Sequence, residues 1–414
     1  MSLKGMSLKG MSLRAGARSL LTCCGLLSLT ACVTPTEEPS GAGVMSGAGT
    51  QAGVEVGGVT GEAGETGGGR VAGVEGGSLP MGGEPLSWEL PPTLSVATYN
   101  VQNLFDLIDD PEHIEGEYTP SPGLWNEAAY EARLNALARV VVDINADLLV
   151  LQEVESEAVL SDLAARVSAQ GGKTYEHLNV VNSQDPRGIS LATLSVYPLD
   201  RALGRPINAN FQCANGLTLD GNRPEARPIY EVSLWGVGEE AAITLLVNHW
   251  KSKAADPEPC AVSDHHKRAG EQISGLLEAW LESTPRRAVL VLGDFNAWET
   301  EASLVDALGA SPSREALRFA HDLYNAWGEL GVGEPGVTNN ATNSSYYFDG
   351  AWRRLDHIML TRPMLNGSAA WQLERFEQVR PAFVMRDGRP YRWDIEARQG
   401  FSDHFPIKVT LRSR

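Results

Sequence analysis

Cysteine, positive charge and long apolar runs are all scarce in this sequence. Five cysteines in 414 residues exclude a disulfide-dense scaffold, and no thiolate or histidine cluster has the spacing of a zinc site. Lysine and arginine total 34 against 52 aspartates and glutamates, a net charge of −18. That balance excludes tight nucleic-acid binding through a broad basic surface, although a phosphate ester remains within reach where cations bridge the two. The one apolar run near the start, LLTCCGLLSLTAC, is too short to cross a bilayer as a stable helix.

Ahead of that run stands MSLKGMSLKGMSLRAGARS, a repeat that carries Lys4, Lys9, Arg14 and Arg18 and no acid. A basic stretch, a short apolar stretch and small residues in sequence predict a secretory signal over residues 1–31. Its end, Leu29-Thr30-Ala31-Cys32, resembles a bacterial lipobox, which implies cleavage before Cys32 and acylation of that thiol. The expected protein is therefore exported and held at a membrane by lipid alone, with no transmembrane helix after processing. With Cys23 and Cys24 lost and Cys32 acylated, Cys213 and Cys260 remain, and two cysteines in an exported chain suggest one disulfide.

Residues 32–92 read as an acidic, glycine-rich tether of the SGAGVMSGAGTQAGVEVGGVTGEAGETGGG type, with almost no aromatic side chain to bury. Removing the four basic leader residues takes the net charge from −18 to −22, and the tether's eight glutamates and one arginine leave −15 on residues 93–414. That remainder suits one large α/β domain, expected to act as a monomer.

Within it, strand-like and helix-like segments alternate. LSVATYNV, DLLVLQEV, ISLATLSVYP, IYEVSLWGV, AAITLLVNHW, RRAVLVLGDFNA, RRLDHIMLT and SDHFPIKVTLR read as strands. NEAAYEARLNALARVVVDI has helical period, with an apolar face through Ala132, Leu134, Leu137 and Val141. SEAVLSDLAARVSAQ, capped by Ser156, and HHKRAGEQISGLLEAWLEST are the other helices. The mixture predicts a pair of mixed sheets between helical layers.

The strands share a feature: each runs apolar and then meets polar groups, Asn100, Glu153, His249, Asp294 with Asn296, Asp356, and Asp403 with His404. Each residue alone has an ordinary explanation as a turn, cap or core residue. Taken together they predict one cleft at a sheet edge. Four carboxylates gathered there repel one another unless a cation or shared protons intervene. Oxygen-rich ligands with an amide suit Mg²⁺, with Mn²⁺ or Ca²⁺ as alternatives. In AVLVLGDFNAWE, Asp294 and Asn296 stand two apart and are expected on the same side of an extended chain.

TYNVQNLFD, LLVLQEVE, VNHWKSK, VLGDFNA, RLDHIML and FSDHFPI, in this order, resemble the motif set of the endonuclease/exonuclease/phosphatase superfamily, which has the deoxyribonuclease I-like fold. The resemblance covers about residues 93–411. It implies a four-layer α/β/β/α sandwich and metal-dependent phosphoester hydrolysis. By motif, Glu153 resembles the principal metal ligand, supported by Asn100 and Asp403. Asp294 resembles the group that activates water, and Asn296 its phosphate-holding neighbour. His404 resembles the catalytic histidine that Asp356 orients, and His249 the second histidine, whose acidic partner the sequence does not identify. An imidazole with its ordinary pKa near ~6.5 is suited to exchange a proton at neutral pH. Lys251, Lys253 and Arg187 are candidates for substrate phosphate; Arg223 and Arg227 have the more structural reading.

RRLDHIML lacks the sequence style of inositol polyphosphate phosphatases. VNHWKSK, the later Arg268-x-x-x-Gln272 and a cysteine close after the lysines look most like secreted bacterial nucleases, which implies a nuclease acting on DNA or RNA. A phosphodiesterase of small or lipid esters would need an aromatic hairpin, for which PYRWDI is the thin candidate. A binding lipoprotein that has lost catalysis would lack the Glu153, Asp294 or His404 equivalents.

Overall fold

The computed structural model describes residues 90–183, 185–206, 213–214, 227–235, 242–253, 261–334 and 338–414. The expected leader, the tether up to residue 89, Cys32, Cys260 and Arg223 lie outside the described residues.

Strands β1 (Thr93–Leu104), β2 (Leu148–Val154), β3 (His177–Val181) and β4 (Ser190–Ser195) are followed by β5 (Arg201–Arg205), β6 (Ile229–Leu234), β7 (Ile243–His249) and β8 (Ala288–Asp294). After short β9 (Ala310–Ser311) and β10 (Leu323–Asn325) comes a hairpin of β11 (Tyr346–Phe348) and β12 (Ala351–Arg353). Then follow β13 (Asp356–Thr361), β14 (Trp371–Gln378), the small pair β15 (Met385–Arg386) and β16 (Arg389–Pro390), and β17 (Ile407–Ser413). One sheet has six strands in the order β14-β17-β1-β2-β4-β3; the other has seven, β5-β6-β7-β8-β13-β10-β9.

Strand alternation explains the layering. On β1, Leu94 and Val96 join the cluster between the sheets, while Ala97 and Tyr99 turn to the opposite face. Leu148 and Val150 of β2 point inward, and Leu149 and Leu151 meet the helices. On β8, Leu290 and Leu292 are inward, whereas Val289 and Val291 pack outside with Ile273 and Leu277. Runs that are apolar at every position are thus buried on both faces. Helices α1 (Glu127–Ile144) and α2 (Glu157–Ala169) cover the six-stranded sheet, and α3 (Val262–Ser283) covers the seven-stranded one. The expected α/β/β/α sandwich is present.

Local signals hold the helices in place. Asn126 caps α1 by accepting from the Ala129 amide, and α1 stops at Asn145 in the left-handed conformation. Ser156 caps α2 through the Val159 amide, as its sequence predicts. On α1, Leu134, Leu137 and Val141 are buried; replacing Leu137 by alanine would cost about 2–5 kcal/mol.

Strands beyond the expected eight appear, and two expectations need correction. WQLERFEQ is strand β14, whose exposed charged face hid its alternation. The last strand begins at Ile407, so Asp403 and His404 precede it in a loop. Asp356 opens β13 instead of ending it. Because β13 is antiparallel to β8, and β17 to β1, these strand beginnings still reach the edge where β8, β1 and β2 finish.

Candidate active site

Register places one half of the site. Parallel pairing sets His249 of β7 opposite Asp294 of β8, and antiparallel pairing sets Asp356 of β13 opposite Asp294 on the other side. Three polar residues therefore stand in one row across three strands. Close approach of β7 and β8 requires Gly293, where an added Cβ would lie 2.0 Å from the Asn248 carbonyl oxygen. The row meets His404, whose Nδ1 lies 2.7 Å from Asp356 Oδ2. Tyr346 packs against the His404 ring, centroids 4.7 Å apart.

The other half comes from the six-stranded sheet and is built from unusual backbone. Gln102, Asn103 and Glu153 all have positive φ, at 53°, 64° and 70°. Left-handed conformation is costly for residues other than glycine and recurs at functional sites. Here it accompanies register shifts in β1 and β2 and turns Glu153 toward Asn100, whose Nδ2 donates to Asp294 Oδ2 at 2.9 Å and reaches Glu153 Oε1 at 3.4 Å. The fully buried Arg133 of α1 holds this bend, donating to the carbonyls of Val101, Gln102, Asn103 and Phe401.

These two halves face one cleft of about 240 Å³, lined by Asn100, Glu153, Arg187, His249, Asp294, Asn296, Asp403 and His404 among others. A larger depression of about 510 Å³ near Phe319 and His321 holds none of the predicted site residues.

The electrostatics assign different roles to the titratable groups. Burial disfavours a charged His404, but Asp356 outweighs it, with Asp294 and Asp403 adding, and its pKa is raised to about 10. His404 is thus an imidazolium at neutral pH, a hydrogen-bond donor, not the freely exchanging base its ordinary pKa suggests. Burial pushes Asp294 up, His404 opposes this and Asp356 adds to it, leaving a value of about 7. His249 goes the other way: burial, then Arg227, Arg187 and His404, hold it well below its ordinary value. Its Nε2 faces Glu153 Oε1 at 3.7 Å and Asp294 Oδ2 at 3.8 Å, which are the acidic neighbours missing from the sequence reading.

A family model described as the endonuclease/exonuclease/phosphatase family matches residues 95–413. The chain belongs to that family. No curated protein matches it. Among solved structures, it is similar to TDP2 from C. elegans, at 16% identity over 78% of this chain and 75% of that one, with a TM-score of 0.43. It is also similar to beta toxin from Staphylococcus aureus, at 16% identity over 78% of this chain and 100% of that one, TM-score 0.45. A third is an endonuclease/exonuclease/phosphatase protein from Bacteroides vulgatus, at 13% identity over 78% and 99%, TM-score 0.44.

Members of this family are phosphoesterases that use divalent metals, and the donor set here fits such an ion. Asp294 is 1% exposed with no lysine or arginine ion pair among the described residues; His249 and His404 stand 3.8 Å and 3.9 Å from its Oδ2. Asp294, Asp356 and His404 each offer an atom within 4.8 Å of the others. The His404–Asp356 hydrogen bond already engages two of them; Glu153, Asp403 and Asn100 line the same cleft and carry oxygen atoms of the kind that could hold a hard cation.

Not every predicted residue takes its expected place. Asn296 is left-handed, with φ of 47°, so it does not continue an extended chain beside Asp294. It still lines the cleft, fixed by Asp294 Oδ1 on its backbone amide and by its own Nδ2 on the Trp250 carbonyl. Lys251 and Lys253 do not line it: Lys253 pairs with Glu301 and lies 5.7 Å from the Trp298 ring centroid. Arg187 does, and Arg227, read as structural, joins it; Asp185 clamps both, at 3.1 Å to Arg187 Nε and 2.7 Å to Arg227 Nη2. Gln272, on exposed α3, donates to the Pro206 carbonyl. Gln102, Asn103, Glu117, Tyr346 and Arg392 line the cleft without having been singled out, because long-range packing brings them there. Cys213 is buried, and its expected partner Cys260 lies outside the described residues.

Proposed function

We propose that this chain is an exported, lipid-anchored metal-dependent phosphodiesterase that cleaves nucleic acid, DNA foremost. One observation carries the chemistry: the His249–Asp294–Asp356 row, completed by the His404–Asp356 bond, faces Glu153 across one cleft. In this reading Glu153, Asn100 and Asp403 hold Mg²⁺, which when bound neutralises charge on a phosphate oxygen. Asp294, with a pKa of about 7, accepts the proton of the attacking water. His404, kept charged by Asp356, donates to a nonbridging oxygen as charge builds there. Neutral His249 presents an N–H toward the leaving oxygen, and Asn296 with the Arg187–Arg227 pair positions the phosphate.

A polymeric substrate is favoured by what surrounds the cleft. Trp298, two residues after Asn296, and Phe348, whose ring centroid lies 6.4 Å from that of Tyr346, are 44% and 53% exposed. Such faces are where unpaired bases stack. PYRWDI does not supply the aromatic hairpin expected for a lipid ester, since Trp393 is buried against Arg133, 5.0 Å from ring centroid to guanidinium.

The discriminating experiment incubates purified protein with plasmid DNA, RNA, sphingomyelin and a chromogenic bis-phosphodiester, with Mg²⁺ and with chelator. Mg²⁺-dependent cleavage of nucleic acid is expected. Turnover of sphingomyelin alone would overturn the substrate, and turnover of nothing would return the chain to a binding role. For export, fatty-acid labelling lost in Cys32→Ser is the expected result; for the Cys213–Cys260 bridge, two alkylatable thiols in the unreduced protein would refute it.

A further inference from the structure

A second group of acids stands apart from the cleft. Asp110, Glu115 and Glu155 each offer a carboxylate oxygen, and these oxygens lie within 4.8 Å of one another. None of the three lines the active-site cleft. Glu115 and Glu155 are 6% and 8% exposed, so water screens little of their mutual repulsion. Asp106 adds a fourth acid, donating its backbone amide to Glu155 Oε2 at 2.6 Å. No lysine or arginine of the described residues pairs with any of them; only His113 approaches, 3.5 Å from Asp110.

One atom points to a ligand. Glu155 Oε1 is buried and has no hydrogen-bond partner, although its twin Oε2 is satisfied. A buried carboxylate oxygen left without a donor is expensive, and buried acids without cations are paired or coordinate metals. The spacing of the three oxygens is one that a single cation with oxygen ligands at ~2.4 Å can bridge.

We propose that Asp110, Glu115 and Glu155 bind a second, structural cation with the chemistry of Ca²⁺. Its place in the chain gives it a task. Glu155 follows β2 and its amide bonds to the Leu104 carbonyl at the end of β1. Asp110 and Glu115 belong to the loop after β1, and Glu115 directly precedes the short turn of Gly116–Tyr118 that carries Glu117 to the cleft. A cation here fastens that loop to the end of β2 and so sets one wall of the active site. Ca²⁺ is favoured over Mg²⁺ because three carboxylates from two separate segments suit a larger ion with variable coordination.

The test uses the full chain, with Ca²⁺ alone as probe and melting temperature as readout, so that activity is not required. Ca²⁺ is expected to raise the melting temperature by about 3 °C or more in the unaltered protein and, with binding in the cleft removed, still to raise it in Glu153→Gln. Adding Glu155→Gln to Glu153→Gln should abolish the remaining shift. Should that variant fail to fold, Asp110→Asn, at a half-exposed position, is expected to raise the half-saturating Ca²⁺ concentration about tenfold or more. Terbium luminescence should count two sites in the unaltered protein and one in Glu153→Gln. A Ca²⁺ shift that survives in the double variant, a half-saturating Ca²⁺ concentration unmoved by Asp110→Asn, or a shift abolished by Glu153→Gln alone would overturn the proposal.

Discussion

The two rims of the cleft are made by different means. On the seven-stranded sheet, His249, Asp294 and Asp356 follow from pairing register alone, with regular strands beneath them. On the six-stranded sheet, Glu153, Gln102 and Asn103 sit in left-handed backbone, kept there by Arg133, a buried cation that donates to backbone carbonyl oxygens. The first rim is a by-product of the fold and the second is held against local preference. Substitutions on the first should therefore remove chemistry and leave stability nearly intact, whereas the supports of the second should lose both.

The largest effect is expected from Asp294→Asn, which should lower phosphodiester turnover about 10³-fold while the melting temperature changes little, checked by single-substrate kinetics and thermal unfolding. Glu153→Gln should lower turnover about 10²-fold or more and raise the Mg²⁺ concentration needed for half-maximal rate, a shift read by metal titration. Arg133→Met tests the supported rim directly. It leaves the carbonyls of Val101 to Asn103 without their donor, for an expected loss of about 1–3 kcal/mol in denaturant unfolding together with reduced turnover. If it unfolds normally and stays fully active, the distinction between the rims fails.

A pH experiment probes what lies behind the first rim. His266 of α3 bonds the Lys251 carbonyl just beyond His249, and burial, opposed by that bond, lowers its pKa to about 4. The unfolded chain binds this proton near pH 6.5 and the folded one only near 4, so stability falls as pH drops through that window, by about 3 kcal/mol in all. The unfolding free energy of His266→Asn should flatten between those pH values. The smallest effect is expected from Lys253→Ala, since its ammonium is occupied with Glu301 outside the cleft: turnover should change by less than about threefold.

The contrast between the rims also explains what could be read from the sequence. Polar residues at the ends of apolar runs are local signals, and register converts His249, Asp294 and Asp356 into a row, whereas the left-handed bend that turns Glu153 toward Asn100 carries no such signal. Ser156 and the α1 face were likewise legible as local signals. Arg133, Arg392, Tyr346 and Glu117 reach the site through contacts far apart in sequence, and nothing beside them marks their role. The lysines after His249 misled because proximity along the chain is not proximity in space once a strand has ended. The left-handed Asn296 misled because an Asp-Phe-Asn stretch carries no sign that its last residue leaves the extended conformation. The acidic group around Glu155 escaped because its members come from two loops 40 residues apart and only folding brings their oxygens together.

The central claim is that residues of both rims act together on one phosphodiester with a divalent cation. Hydrolysis of a chromogenic bis-phosphodiester by the full chain, with Mg²⁺ and after chelation, beside His404→Ala tests it most directly. The account predicts Mg²⁺-dependent turnover that chelation abolishes and His404→Ala lowers about 10³-fold. Turnover that persists in chelator, or that survives loss of His404, would contradict it.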